Sequence, residues 1–305
     1  MDDKSAATKL PARGSIVQFV SGLGEVADRY DLVLCDVWGV LHDGLSAFPA
    51  ASDALTRYRA GGGRVVLVSN APRPGRVVAE QLKRLGVASG AYDEIRTSGD
   101  LTRAMVADHG SRTFHHIGPE RDLGLFEGLS AGRAQLHDAD YVVCTGLFDD
   151  ETETVDDYSD AFCIMRERDL LMVCANPDIV VERGHRLILC AGALAAAFED
   201  LGGRTLTPGK PHRPIYEAVL GVGADLLGRP LDRRRVLAIG DAIRTDIAGG
   251  QGAGLDTALV ARGIHAAELD FANGVLNRAA VLDWISRQPF GPTMVMPHLT
   301  WSAAS

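Results

Sequence analysis

Apolar residues in this chain gather in short runs that end abruptly at small polar or acidic residues, with amphipathic stretches between them. Leu32-Val33-Leu34-Cys35 runs into Asp36 and then a glycine-containing turn, Val37 to Gly44. The design recurs where Arg64-Val65-Val66-Leu67-Val68 ends at Ser69-Asn70, and where Arg235-Val236-Leu237-Ala238-Ile239 ends at Gly240-Asp241. Continuous apolar runs of this length suit strands buried on both faces of a parallel sheet. Between them, Pro49 to Ala60, closed by Gly61-Gly62-Gly63, and Pro74 to Leu85, stopped by Gly86, read as helices. Glu94 to Ser98 reads as a further short strand. Strands alternating with helices predict an α/β fold, a Rossmann-like, doubly wound parallel-sheet core.

The middle of the chain is less regular but has elements of its own. Thr113 to Gly118, Tyr141 to Cys144 and Leu170 to Ala175 read as strands, the last running into Asn176-Pro177-Asp178. Leu187 to Leu201, closed by Gly202-Gly203, reads as one helix, and the acidic tract Asp149 to Asp160 as a solvated loop and helix start. A segment with this much structure is better described as an inserted α/β domain than as a long loop. The first pattern resumes at Thr207-Pro208-Gly209-Lys210-Pro211, followed by a helix from Pro214 to Leu220 and a last strand from Thr257 to Val260. The expected division is residues 15–104 and 205–290 as a discontinuous core, 105–204 as the insertion, and 291–305 as an irregular tail laid over the surface. Residues 1–14 read as a polar leader, and Ile16 to Tyr30 as an amphipathic segment. Gly22-Leu23-Gly24-Glu25-Val26-Ala27 matches a dinucleotide fingerprint in form, but too few residues separate it from the strand at Leu32 to hold the helix of a βαβ unit.

Composition narrows the class. At 46% hydrophobic and 23% charged residues, the 305-residue chain is of ordinary globular type, and its net charge of −9 argues against a general nucleic-acid binder. Arg233-Arg234-Arg235 is most simply a solvated turn. No apolar run reaches the ~18 residues of a membrane span, and the polar N-terminus lacks the order of a signal peptide. Five cysteines without a CxxC pair read as free, mostly buried thiols. A cytoplasmic protein, with neither nucleic-acid nor membrane partner, is the expectation.

Candidate chemistry lies at the ends of the predicted strands. An aspartate there can simply cap a turn, but Asp36, Ser69, Lys210 and Asp241 with Asp246 all fall at such ends or just before a helix. Grouped, they offer an acidic cluster, a hydroxyl and one cation. Carboxylates gathered in a small space repel unless a cation sits among them, and hard oxygen ligands suit Mg²⁺. One carboxylate free to attack, a metal and a lysine are the parts that phosphoryl transfer needs.

The sequence Asp36-Val-Trp-Gly-Val-Leu, then Ser69-Asn70, then Gly-Lys210-Pro, then Gly-Asp241-Ala-Ile-Arg-Thr-Asp246 resembles the four motifs of the haloacid dehalogenase superfamily. The insertion between the second and third motifs, with Asn176-Pro177-Asp178 and Gly192-Ala193 on its return, resembles the class IIA branch, the p-nitrophenyl phosphatase-like group with a large α/β cap. The resemblance implies a Mg²⁺-dependent hydrolase of a small phosphorylated metabolite that works through an aspartyl-phosphate. It implies Asp36 as nucleophile, Ser69, Asn70, Lys210 and Asn176 as phosphate or substrate contacts, and Asp36, Asp241 and the Trp38 backbone carbonyl as metal ligands, with Asp246 behind them. Thr145 to Asp150 and Asn176 to Asp178 are candidate substrate contacts from the cap. Relatives of this class often form homodimers through the cap.

One position departs from the family pattern. Its usual phosphatase signature has a second aspartate two residues after the nucleophile, serving as general acid and base, and this chain has Trp38 there. Indole cannot transfer that proton. His42 and Asp43 are the nearby residues that could stand in. Two other readings stay open at this stage: a phosphate-binding protein with weakened catalysis, and a hydrolase of C–P or C–halogen bonds.

Overall fold

A computed structural model describes residues 17–183, 186–269 and 275–302. The expected leader at 1–14 lies outside the described residues. Along the chain, β1 (Gln18–Phe19) and two 3₁₀ turns lead to β2 (Leu32–Cys35), α1 (Pro49–Ala60), β3 (Arg64–Ser69), α2 (Gly75–Leu85), β4 (Glu94–Thr97) and α3 (Ser98–Asp108). The middle contributes β5 (Phe114–Ile117), β6 (Tyr141–Cys144), α4 (Ser159–Glu167), β7 (Leu171–Cys174), β8 (Val180–Arg183), β9 (Arg186–Leu189), α5 (Ala191–Asp200) and β10 (Arg204–Leu206). The chain closes with α6 (Arg213–Leu227), β11 (Val236–Gly240), α7 (Ala248–Gly252), β12 (Asp256–Val260), α8 (Arg278–Ser286) and β13 (Met294–Met296).

Among the described residues seven strands form one sheet in the order β1-β13-β12-β11-β2-β3-β4, and every pairing in it is parallel. Alternate residues of its strands feed opposite faces. Val33, Cys35, Val65 and Leu67 pack with Leu55 of α1 and Val78 and Leu82 of α2. Leu32, Leu34, Val66 and Val68 pack with Ile215, Val219 and Leu220 of α6 on the other side. Helices on both faces explain why these strands read as unbroken apolar runs. The doubly wound parallel sheet expected from the alternation is the fold that forms.

Residues of the middle build a second parallel sheet, β10-β7-β6-β5, with its own core. Val142, Cys144, Met172 and Cys174 face Phe162 and Met165 of α4 and Leu194 and Phe198 of α5. Four cysteines are buried, and Cys163 is exposed; all five are free thiols.

Two expectations need correction. The stretch read as one helix from Leu187 is divided: Leu187, Ile188 and Leu189 belong to β9, which pairs antiparallel with β8, and the helix begins only at Ala191. An apolar run long enough for either element carries no periodicity that separates them. The strand at Thr257 is not the last. The supposed surface tail supplies β13, inserted between β1 and β12 with Met294, Val295 and Met296 wholly buried. Its three residues are too short a run to outweigh the prolines on either side. The amphipathic segment expected at Ile16 to Tyr30 takes, from residue 17 on, the form of β1 and 3₁₀ turns over Leu23–Glu25 and Ala27–Arg29. The glycines of the fingerprint-like stretch serve packing: a Cβ at Gly22 or Gly24 would stand 2.7 or 2.6 Å from the Trp301 carbonyl oxygen.

Candidate active site

The strand order reverses between β2 and β11: from β2 the chain builds outward through β3 and β4, and from β11 through β12 and β13 in the other direction. At such a switch point the connections part and leave a crevice beyond the strands' carboxyl ends. Asp36 follows β2, Ser69 ends β3 and Asp241 follows β11, so the three runs that ended in polar residues deliver them to one place. Asp246 arrives on a single π-helical turn, Ile243–Ile247, in which the amides of Asp246 and Ile247 both donate to the Ala242 carbonyl. Two glycines make room. A Cβ at Gly240 would stand 2.0 Å from Asp246 Cγ, and one at Gly39, where φ is +78°, would stand 2.0 Å from Asp241 Oδ2.

Lys210 closes the cluster. Its ammonium lies 2.5 Å from Asp36 Oδ1 and 2.6 Å from Asp246 Oδ1, and all three residues are buried. Its backbone is fixed by Asn70, whose Oδ1 accepts from Lys210 N (2.8 Å) and whose Nδ2 donates to Lys210 O (3.2 Å). Asn70 Nδ2 also donates to Asp178 Oδ1 at 2.9 Å, tying this loop to the segment that returns from β7. The Ser69 hydroxyl accepts from Ala71 N at 3.2 Å, which leaves its proton free to donate.

Burial sets the electrostatics. It drives the Asp36 carboxyl well above the usual carboxylate range, with the neighbouring Asp246 charge adding to the effect and Lys210 opposing it. Burial likewise pushes Asp241 up to about 7, reinforced by Asp246 and resisted by the Ile264 amide, which donates to Asp241 Oδ2 at 2.8 Å. Burial works against the charge on Lys210, but Asp246 and Asp36 outweigh it and raise its pKa well above the ordinary value. The ammonium therefore stays charged between its two carboxylates.

That imbalance is the test of metal fit. Ligand oxygens of Asp36, Asp241 and Asp246 lie within 4.8 Å of one another. The span across an octahedral Mg²⁺ with ~2.1 Å bonds is about 4.2 Å, so a small contraction would enclose the ion. Three ionised carboxylates against one ammonium leave two negative charges, which one divalent cation cancels. The donor set and its charge fit Mg²⁺.

Above the cluster is a cavity of about 320 Å³ lined by Asp36, Trp38, Ser69, Asn70, Asn176, Lys210, Asp241 and Asp246 together. Asn176 and Asp178 reach it from the end of β7, and Thr145, Gly146, Leu147 and Asp150 from the end of β6. The Asn176 side-chain oxygen accepts from Asp178 N at 3.2 Å. Several lining groups had no signal in the sequence. Arg73 faces the buried Asp122 at 3.5 Å, Arg121 lies 2.5 Å and Arg183 3.0 Å from Asp150, and the β8–β9 hairpin forms one wall. Their convergence depends on where the second sheet sits, which no local pattern encodes.

Residues 33–130 match the family model described as haloacid dehalogenase-like hydrolase, and residues 207–301 match a second model of the same type. A crystal structure of a haloacid dehalogenase-like hydrolase from Brucella suis is 46% identical, covers 92% of this chain and 99% of its own, and superposes with a TM-score of 0.81. The chain belongs to the haloacid dehalogenase-like hydrolases. Within that superfamily it falls in class IIA. Ribonucleotide monophosphatase NagD of Escherichia coli K12 is 26% identical over 288 residues, 88% of this chain and 96% of NagD. Bovine chronophin is 29% identical over 274 residues, 81% of this chain and 86% of chronophin.

The departure at Trp38 is sharper in this haloacid dehalogenase-like hydrolase than the sequence alone made it. His42 is buried, its Nδ1 accepts from Gly44 N at 2.9 Å, and burial pushes its pKa down to about 4 despite the pull of Asp43. It organises the turn and does not line the cavity. Asp43 Oδ1 accepts from the amides of Leu45 (2.9 Å) and Ser46 (2.8 Å), closing the same turn, and Asp43 also lines the cavity. Among the described residues no helix is long and apolar enough to cross a membrane.

Proposed function

We propose that this protein is a Mg²⁺-dependent hydrolase of small phosphorylated metabolites, with Asp36 as the nucleophile. The observation that carries the reading is the buried Lys210 ammonium bridging Asp36 and Asp246, with Asp241 beside them, at the floor of one cavity. In this reading residues 15–104 and 205–290, joined by strand β13, form the catalytic core and 105–204 the cap. The family relation and the name ribonucleotide monophosphatase borne by NagD support the phosphate ester as substrate class.

Asp36 Oδ attacks phosphorus in line with the departing oxygen, forming an aspartyl-phosphate that water then hydrolyses. Lys210 holds the Asp36 carboxylate in place and offsets charge on the transferring group. The Ser69 hydroxyl stands beside it to orient that group, the Asn70 side chain keeps Lys210 in register, and Asn176 faces the leaving portion from the cap. Asp36, Asp241 and the Trp38 carbonyl would hold Mg²⁺, with Asp246 behind them. The ion would supply the positive charge that keeps Asp36 ionised and neutralises the equatorial oxygens. Replacing Asp36 with Asn should abolish Mg²⁺-dependent turnover of an aryl phosphate; turnover that survives would refute the nucleophile assignment.

A second reading rests on one feature, the turn at Trp38. Indole stands two residues after the nucleophile, His42 is committed to the turn, and Asp43, which lines the cavity, has its Oδ1 engaged by two amides, so the loop lacks an acid at the usual proton-transferring position. General acid–base catalysis contributes about 10²–10⁴-fold, so the protein would bind phosphorylated metabolites and turn them over slowly. Thermal stabilisation by phosphorylated ligands with negligible hydrolysis would favour this reading over the first.

A further inference from the structure

Trp38 does more than stand where an acid is missing. Its indole N–H donates to the Glu182 carbonyl at 2.6 Å, a bond between the nucleophile loop and strand β8 of the cap. The ring that carries this donor is held from behind. It meets the buried His42 ring edge-on with centroids 4.9 Å apart. It also lies flat against Gly44, where φ is +89° and a Cβ would stand 2.6 Å from Trp38 Cζ2. His42 is in turn fixed by Gly44 N. The turn from Trp38 to Gly44 is therefore a seat for one ring, aimed at one backbone carbonyl.

The strand it reaches walls the site. Val181 and Glu182 of β8 and Ile188 and Leu189 of β9 line the cavity whose floor holds Asp36. Within the cap the hairpin is tied down by charge: Arg183 pairs with Asp150 at 3.0 Å and Glu151 at 3.2 Å. Those pairs fix the hairpin to its own domain, and the indole bond fixes it to the core.

We propose that Trp38 is a positioning residue that latches the β8–β9 hairpin over the cavity, so that this chain sets the width of its substrate site from the nucleophile loop itself. The side chain two residues after Asp36 thereby selects substrates by size. The size selection rests on the phosphate-ester reading above; the latch does not.

The test removes the donor and keeps the shape. Trp38→Phe retains an aromatic ring on Gly44, and replacing Trp38 with benzothienylalanine keeps the bicyclic outline while exchanging N–H for sulfur. Loss of one net hydrogen bond corresponds to roughly a 2–13-fold change in an opening equilibrium. Amide hydrogen exchange should therefore quicken about 5-fold across Val180–Arg183 and Ile188–Leu189, while β2, β3 and β11 keep their rates. In the second arm, the ratio of kcat/KM for a bulky over a small aryl phosphate should rise about 5-fold, carried by KM. Unchanged hairpin exchange in both variants would overturn the latch. Faster exchange with an unchanged size ratio would overturn the selectivity. Because exchange needs no turnover, the latch is decided even if the protein hydrolyses no phosphate ester.

Discussion

The acidic floor of the cavity should make the metal-free protein weaken as pH rises, and replacing Asp241 should remove that weakness. Burial, with help from Asp246, pushes the Asp241 carboxyl up to about 7, against ~3.9 for an aspartate in an unfolded chain. Between these values the folded state keeps a proton that the unfolded chain has released. It binds more protons, so stability falls as pH rises through the window from about pH 4 to about pH 7 and stays low above it. At 1.36 kcal/mol per unit the loss is about 4 kcal/mol. Asp36, raised for the same reasons, acts in the same direction. Asp241→Asn carries no charge to bury and can still accept from the Ile264 amide. In chelator, urea unfolding should show the variant close to wild type near pH 4 and more stable by up to about 4 kcal/mol at pH 8. Mg²⁺ should erase the difference by stabilising wild type alone, by about 4.1 kcal/mol at a thousandfold excess over Kd. A difference between the two proteins that does not grow with pH would refute the electrostatic account of the site.

Other outcomes follow from the same geometry. Lys210→Met leaves Asp36 and Asp246 facing each other without their shared cation, and breaking a buried pair costs about 3–5 kcal/mol; urea unfolding at pH 8 would reveal it, and aryl phosphatase activity should vanish. Trp38→Asp should restore a proton-transferring group and raise turnover of alkyl phosphates by up to about 10²-fold, flattening the dependence on leaving-group pKa; an unchanged dependence would mean that another group already moves the proton. Gly44→Ala forces a Cβ into the Trp38 ring at a left-handed φ and should cost about 1–3 kcal/mol, read from the urea midpoint. Truncation after Gln288 removes β13 from between β1 and β12 and should leave a chain without a cooperative unfolding transition.

Much of the site was legible because each of its residues sits at the end of a strong local signal. A run such as Val65 to Val68 needs both faces covered, so it announces a buried strand, and the polar residue that ends it is placed at the sheet's edge. Asp36, Ser69 and Asp241 could be grouped from that alone. The β8–β9 hairpin could not, since Leu187 to Leu189 is as apolar as the helix that follows and nothing local separates the two. β13 was hidden for a different reason. Three residues, Met294-Val295-Met296, make a strand only because β1 and β12 offer edges on both sides.

The sequence by itself determined the alternation of strand and helix, the doubly wound sheet and the identity of the groups on its carboxyl edge, because period, burial and strand termination are local properties of the chain. Only the tertiary structure decided how those groups act on one another. The ammonium of Lys210 between Asp36 and Asp246 depends on which strand ends meet across one sheet, and the indole of Trp38 held to the Glu182 carbonyl depends on how two sheets are placed. Trp38 looks like a loss when the chain is read along its length. In three dimensions it is a contact between the loop that carries the nucleophile and the wall of the cavity above it.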